Sequence, residues 1–190
     1  MSAFQPVMLP EEPAPLFAVR KLQDDLALHK SRIIWGEGNS HAPVFVVLDN
    51  PGCREDRQGK PFVCGTRETL QRGLFAAGLE PEQVYVSYIL KYRPTRAYNK
   101  PAARERGLPL LKLQLAEKKP SILLGLGDVV VKTLLQDETA QIKSCRGVWH
   151  LVAGIPAAFS FHPLAVRRRP VLMKYFLADL RLVAAKLLQL

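Results

Sequence analysis

Residues 46–62 read VVLDNPGCREDRQGKPF, and this stretch sets the interpretation of the rest of the chain. It opens with an apolar run, which is typical of a buried β-strand. The run ends at Asp49 and Asn50, and a Pro-Gly turn crowded with charged residues follows. An acid and an amide therefore follow directly after a buried strand. This pattern indicates that the two side chains either cap the turn or belong to a functional site at the strand's end.

Three further apolar runs, at residues 84–90, 121–126 and 157–161, resemble this first strand. Strands that are apolar throughout are buried on both faces, as in a parallel sheet. The segments between the runs are long enough for crossover helices, and they carry leucines at helical spacing. We therefore expect an α/β fold of three layers, α/β/α, with a central four-stranded and mostly parallel sheet.

The chain has 190 residues, of which 48% are hydrophobic, and this is typical of a single domain with a substantial core. Because residues 1–15 contain four prolines, we expect a flexible N-terminal arm there and one domain over residues 16–190. No apolar window approaches the roughly 18 residues of a membrane span, and the N-terminus lacks the pattern of a secretory signal. We therefore expect a cytoplasmic protein without a membrane span, and we also expect it to be a monomer.

The cysteines argue against two kinds of site. Cys53, Cys64 and Cys145 are an odd number and form no C-x-x-C pair. A disulfide framework and a cysteine-built metal site are both disfavoured by this pattern, so we expect no bound metal. The chain also lacks a Walker loop, a G-x-S-x-G nucleophile elbow and an H-E-x-x-H zinc motif.

Lysine and arginine outnumber aspartate and glutamate by 27 to 17, which gives a formal net charge of +10. The excess favours a polyanionic partner, nucleic acid first and an anionic membrane surface second, over the alternative of a merely soluble basic protein. Six cations interleave with two tyrosines over residues 91–106, and Arg167, Arg168 and Arg169 follow a His-Pro turn. Cations that neutralise phosphates, together with rings that stack on bases, suit nucleic acid better than a membrane.

Five motifs follow one another along the chain. They are GEGN at residues 36–39, LDNPGCREDRQGKPFV at 48–63, YVSYILKYRPT at 85–95, RGVW at 146–149 and HPLAVR at 162–167. With these motifs in this order, the chain resembles the uracil-DNA glycosylase superfamily, most closely its family 4, the iron–sulfur branch. The resemblance implies a glycosylase-like fold that binds DNA, single- or double-stranded.

The resemblance also implies a set of site residues. A nucleotide is flipped out of the DNA before its glycosidic bond is hydrolysed. Asp49, where the family has glutamate, would orient water with Asn50 as a second candidate, and a neutral His162 would donate a hydrogen bond to the departing base. The base-binding residues are Phe62, which stacks on the base, Gly52 and Tyr88. The DNA-binding residues are Lys91, Arg93, Arg96, Lys100, Arg167, Arg168 and Arg169, with Leu164 and Val166 as wedges.

The sequence departs from the family at two places. The four cysteines that hold the family's iron–sulfur cluster fall near Gln23, Leu26, Tyr92 and Gly107, so we predict that no cluster is bound. Tyr88 replaces the asparagine that reads the edge of uracil in the family. Two hypotheses stay open: a base-excision repair glycosylase of weakened or altered base specificity, and a catalytically inactive paralogue that binds DNA or a protein partner.

Overall fold

The four apolar runs form the central strands of one sheet in the computed structural model, which describes residues 4–60 and 65–190. The strands assigned within these residues are β1 (Glu11–Glu12), β2 (Gly36–Gly38), β3 (Val44–Leu48), β4 (Val84–Tyr88), β5 (Ile122–Leu126), β6 (His150–Val152) and β7 (Ile155–Ser160). The predicted α/β architecture is therefore confirmed.

The sheet has the order β1-β2-β4-β3-β5-β7-β6. Its four central strands, β4, β3, β5 and β7, run parallel, as predicted. The predicted number of four strands is wrong, because β1, β2 and β6 add antiparallel pairings at the two edges of the described sheet. These added strands are two or three residues long, too short to show an apolar pattern in the sequence.

Helices cover both faces of the sheet. The α-helices assigned in the described residues are α1 (Leu16–Lys21), α2 (Gln23–His29), α3 (Cys53–Gln58), α4 (Gly65–Ala76), α5 (Lys100–Lys118), α6 (Asp128–Leu135), α7 (Ile142–Cys145), α8 (Pro163–Arg168) and α9 (Met173–Leu187). Short 3₁₀ turns precede β4 and α9. No helix of the described residues is long and apolar enough to cross a membrane.

Two hydrophobic cores result from the alternation of side chains along the strands. Val44, Val46 and Leu48 of β3 pack in one core with the apolar faces of α4 and α9. Phe45 and Val47 point to the other face and pack in a second core with α5 and α6. The sheet is thus buried on both sides, and this arrangement is what the continuous apolar runs predicted.

The N-terminal segment differs from the expected flexible arm. In its described part, residues 4–15, the pair Glu11–Glu12 forms β1 against β2. The Glu12 carboxylate accepts a hydrogen bond from the Tyr85 hydroxyl at 2.7 Å and pairs with the Lys118 ammonium at 2.6 Å. The prolines therefore mark an extended segment that is tied to the edge of the sheet, and the expectation of a loose arm is corrected for these residues.

Candidate active site

One cavity lies where the parallel strands end, and it collects predicted residues from distant parts of the sequence. Its volume is about 490 Å³. Because an apolar cavity of about 150 Å³ holds benzene, a space of this size admits a heteroaromatic ring. The predicted residues in its lining are Asp49, Asn50, Gly52, Tyr88, His162 and Leu164.

Asp49 is the first residue after β3, and it brings a carboxylate to the cavity. Its backbone carbonyl accepts a hydrogen bond from the Leu90 N–H at 2.9 Å, which ties the end of β3 to the segment after β4. The side-chain Oδ1 is buried and has no hydrogen-bond partner in the structure. Burial raises the pKa of the Asp49 carboxyl above its ordinary value, while the positive charges of Arg104 and Lys100 act in the opposite direction.

His162 follows β7 and caps the N-terminus of α8. Its Nδ1 accepts a hydrogen bond from the Leu164 backbone N–H at 3.1 Å. The neutral ring therefore carries its proton on Nε2, which makes it a donor. Burial lowers the pKa of His162 to about 4, an effect that the nearby Glu55 carboxylate opposes. The ring is neutral near pH 7.

Gly127 sits directly against His162, at the turn between β5 and α6. Its φ of +97° lies in the region that favours glycine, and a Cβ placed there would come within 3.1 Å of the His162 Cβ. Any larger residue at this position is therefore strained and pushes on the ring. The glycine allows His162 to approach the end of β5.

Glu55 is a site residue that the sequence analysis did not single out. It lies on α3 with 3% of its surface exposed, and it contributes to the same cavity. A Cβ on Gly52 would stand only 2.6 Å from the Glu55 Oε2, so glycine at position 52 makes room for this carboxylate. The signal was present, since Glu55 belongs to the motif that starts at residue 48.

Tyr88 ends β4 and forms part of the wall of the cavity, with 2% of its surface exposed. In the parallel register it lies beside Leu48, the last residue of β3. The phenol does not fill the space, because the cavity keeps its volume of about 490 Å³ with Tyr88 in place. The tyrosine at position 88 therefore changes the chemistry of the cavity wall and leaves space in the cavity.

The motifs that supply these residues lie within the range of a known family. A model described as the uracil DNA glycosylase superfamily matches residues 35–181. The chain belongs to the uracil-DNA glycosylase superfamily. The resemblance inferred from the motifs is thereby confirmed.

Named relatives agree with the family model. A type-4 uracil-DNA glycosylase of Pyrobaculum aerophilum is 30% identical over 168 residues, covering 83% of this chain and 85% of that protein. One of Archaeoglobus fulgidus is 29% identical over 165 residues, 83% of each chain. Another, of Thermotoga maritima, is 27% identical over 143 residues, 73% of each chain.

The structure of this superfamily member corrects the prediction that Lys91 contacts DNA. The Lys91 side chain is only 1% exposed, and its ammonium group donates to the Ser87 hydroxyl at 2.6 Å, to the Tyr88 carbonyl at 2.7 Å and to the Gln114 amide oxygen. Burial lowers the pKa of Lys91 well below its ordinary value. The charge run misled the prediction because this lysine lies in the buried segment that directly follows β4.

Of the two predicted wedge residues, Val166 is in the wrong place. It is 1% exposed and packs in the core beneath α4 and α9, because on the short helix α8 it faces inward. Leu164 is partly exposed and lies in the cavity lining, where a wedge or a base contact remains a prediction. Phe62 lies outside the described residues, so its stacking role also stays a prediction.

The other predicted cations are accessible to a partner. Arg96, Lys100 and the three arginines at residues 167–169 are exposed. Arg93 is partly exposed and lies 3.9 Å from the Asp56 carboxylate. Lys100 begins α5, so part of the cationic segment is helical. It is also near enough to Asp49 to lower the pKa of that carboxyl.

The corner where family 4 would hold an iron–sulfur cluster has an unsuitable set of donors. The four positions are Gln23, Leu26, Tyr92 and Gly107, which offer no thiolate, whereas such clusters are held by cysteine thiolates. Tyr92 is buried, and its ring stacks on His29 with 5.4 Å between ring centroids. The described residues contain no group of three or more His, Cys, Asp or Glu residues that fits a metal. The residues present do not fit the cluster.

Proposed function

We propose that this protein hydrolyses the N-glycosidic bond of a flipped, uracil-like base in DNA, as a glycosylase of base-excision repair. The observation that carries the proposal is the presence of the Asp49 carboxylate and the neutral His162 ring in one cavity large enough for a base. Membership of the superfamily and the names of the relatives support the same reaction.

Asp49 acts on the water and the sugar. Its Oδ1 has no partner in the structure, so it is available to accept a hydrogen bond from a water molecule. The water oxygen forms a bond to C1′ of the sugar, and its proton passes to the carboxylate and then to solvent. The negative charge of Asp49 also stabilises the positive charge that develops on the sugar.

His162 acts on the base. As the bond between C1′ and the base nitrogen breaks, its electron pair leaves with the base, and negative charge develops on the base oxygens. Nε2–H of His162 donates a hydrogen bond to one of these oxygens, and Leu164 holds the ring in the tautomer that this requires. The released base takes a proton from solvent, which leaves free base and an abasic site.

The exposed cations bind the phosphate groups of the DNA. Arg96 and Lys100 are exposed on the segment after β4, whose last residue, Tyr88, lines the cavity. The arginines at residues 167–169 are exposed just after His162 and Leu164, which also line it. Each phosphate neutralised releases counterions, so DNA affinity should fall steeply with salt. An affinity that does not change with salt would exclude this role.

Tyr88 makes the base specificity weaker or different from that of a uracil-specific enzyme. An amide offers a paired donor and acceptor to the edge of a base, whereas a phenol has a single hydroxyl. A site that loses such a paired contact loses orders of magnitude in discrimination. We expect slow excision of uracil and comparable rates on other deaminated bases.

The same residue favours a second candidate function. If Tyr88 prevents a base from reaching Asp49, the protein is an inactive paralogue that binds DNA or a protein partner. The cavity beside Tyr88 favours the enzyme, because it leaves room for a base.

A panel of oligonucleotides separates the two functions. Single- and double-stranded substrates carry uracil, hypoxanthine, xanthine or a mismatch, and alkali then cleaves any abasic site. Strand breaks above those of an Asp49→Ala, His162→Ala double variant support the enzyme. DNA binding at low salt with no such breaks supports the inactive paralogue, and an absence of both would exclude the two functions together.

A further inference from the structure

A second cavity, of about 260 Å³, lies on the same face of the sheet as the candidate active site but at the opposite end of β4. We name it the α4–β4 cavity. Val84 and Val86 of β4 line it, whereas Tyr88 lines the active site. Its apolar wall also includes Phe4, Val7, Leu70, Leu74 and Phe75.

Glu37 brings a buried carboxylate to this apolar space. On β2 it pairs with Val86, so its side chain points to the face that carries the cavity. The residue is 0% exposed, and the Arg67 guanidinium donates to its Oε2 at 2.6 Å. The other oxygen, Oε1, has no hydrogen-bond partner in the structure. A buried acceptor without a donor is costly, and a ligand that supplies the donor removes that cost.

The charged side chains in the lining of the cavity are acidic, although the whole chain is strongly basic. They are Glu37 and Glu80, and no lysine or arginine of the described chain lines it. Around the lining, Arg67 pairs with Glu37, Lys60 lies 3.8 Å from the Glu11 carboxylate, and the Arg72 guanidinium lies 5.4 Å from the Phe4 ring centroid. A ligand inside the cavity thus meets carboxylates as the charged groups of the described lining, which favours a cation over an anion.

We propose that the α4–β4 cavity binds a small apolar molecule that carries one primary ammonium group. The ammonium donates to Oε1 of Glu37, and the apolar body lies among Phe4, Leu74 and Phe75. The volume is larger than the roughly 150 Å³ that holds benzene, so an arylalkyl amine fits. The proposal is independent of the glycosylase function, because it uses none of that site's residues.

The N-terminal segment closes the cavity. The backbone carbonyl of Val7 accepts hydrogen bonds from the Arg67 guanidinium at 3.0 Å and from the Gln71 amide at 2.7 Å. The Val7 N–H donates to the Gln71 amide oxygen at 2.8 Å. Arg67 thus holds both the closing segment and the carboxylate that meets the ligand, so the full chain is the form to test.

Binding of the amine should depend on pH. Burial raises the pKa of Glu37 to about 7, with Glu11 contributing and Arg67 opposing. An ammonium ligand needs the ionised carboxylate, so its affinity rises between pH 6 and pH 8 and its binding at pH 6 releases a proton. A neutral ligand of the same shape has no such dependence.

Three probes of similar shape test the proposal by calorimetry on the full chain. They are phenethylamine, which is cationic, 2-phenylethanol, which is neutral, and phenylacetate, which is anionic. We expect the amine to bind about tenfold or more tightly than the alcohol at pH 8, with phenylacetate weakest. Equal binding of amine and alcohol, or no binding of the amine, would overturn the proposal.

Two variants locate the site. Glu37→Gln keeps the size of the side chain, and it should remove both the preference for the amine and the pH dependence. Glu80→Gln, at the rim of the cavity, is the matched control and should keep most of that preference. If Glu37→Gln does not fold, the ranking of the three probes on the unmodified protein decides alone. A preference that survives in folded Glu37→Gln contradicts the proposed site.

Discussion

The Leu164 backbone N–H donates to Nδ1 of His162 at 3.1 Å, and this one contact fixes which ring nitrogen carries the proton. The donor for a departing base is thus prepared before any substrate arrives. The hydrogen bond is local, since it spans two residues across the His-Pro turn, and α8 holds it in place.

Replacing His162 should slow the chemical step without releasing DNA. Because the ring donates to the charge that develops on the base, His162→Ala should lower the single-turnover rate by about 100-fold or more. Its affinity for DNA should stay within a few-fold of the original, since the exposed arginines are unchanged. A rate that falls only in proportion to DNA affinity would contradict the role assigned to His162.

The pH dependence of the rate should come from Asp49. Burial raises the pKa of this carboxyl, and only the ionised form accepts a proton from water. The rate should therefore fall as the pH drops through a value above the ordinary pKa of 3.8. His162, with its pKa lowered to about 4, stays neutral over most of this range. Asp49→Asn should remove nearly all activity, and any residual rate should no longer fall at acidic pH.

The substitution at position 88 gives a test of specificity. Tyr88→Asn supplies the paired donor and acceptor that a phenol lacks, so the ratio of uracil excision to hypoxanthine excision should rise by about tenfold or more. Tyr88→Phe removes only the hydroxyl and is the matched control, for which we expect no such rise. Single-turnover rates on the two substrates measure the ratio. An unchanged ratio in Tyr88→Asn would show that position 88 does not read the base.

A buried histidine holds the cationic loop after β4. Nδ1 of His29 accepts hydrogen bonds from the backbone N–H groups of Thr95 and Arg96, each at 3.3 Å, and the ring stacks on Tyr92. His29→Ala should lower the free energy of unfolding by roughly 2 kcal/mol, because these donors lose their partner. It should also weaken DNA binding through the freed Arg96.

His41 offers the control for this prediction. It is exposed, so His41→Ala should change the free energy of unfolding by less than about 0.5 kcal/mol. Denaturant unfolding and a DNA titration on both variants make the comparison. Equal behaviour of the two variants would contradict the anchoring role of His29.

The four central strands were predictable because continuous apolar runs have one simple explanation, burial on both faces of a parallel sheet. The edge strands β1 and β2 were not. Gly36–Gly38 forms β2 through pairing with strands that are distant in sequence, and its local pattern shows no apolar alternation. Pairing between distant segments decides such elements.

In the candidate site, too, some features were predictable from the sequence and others were not. The position of Asp49 and His162 in one cavity was predictable, since strand ends of a parallel sheet meet at one edge. The burial of Lys91 and Val166 was not, because a charge run and a loop motif do not reveal which side chains turn inward. The burial of Glu37 was also not predictable. Its burial depends on Arg67, thirty residues away, and no local pattern predicts that pair.

If the cavity of Asp49 and His162 releases a base from DNA, the free base is the product that shows it most directly. A uracil-containing single-stranded oligonucleotide is incubated with excess protein, and released uracil is quantified by mass spectrometry. We predict release by the unmodified protein, and none above background by the Asp49→Ala, His162→Ala double variant. Equal release by both proteins, or none by the unmodified protein on uracil and on the other deaminated bases, would contradict the proposed activity.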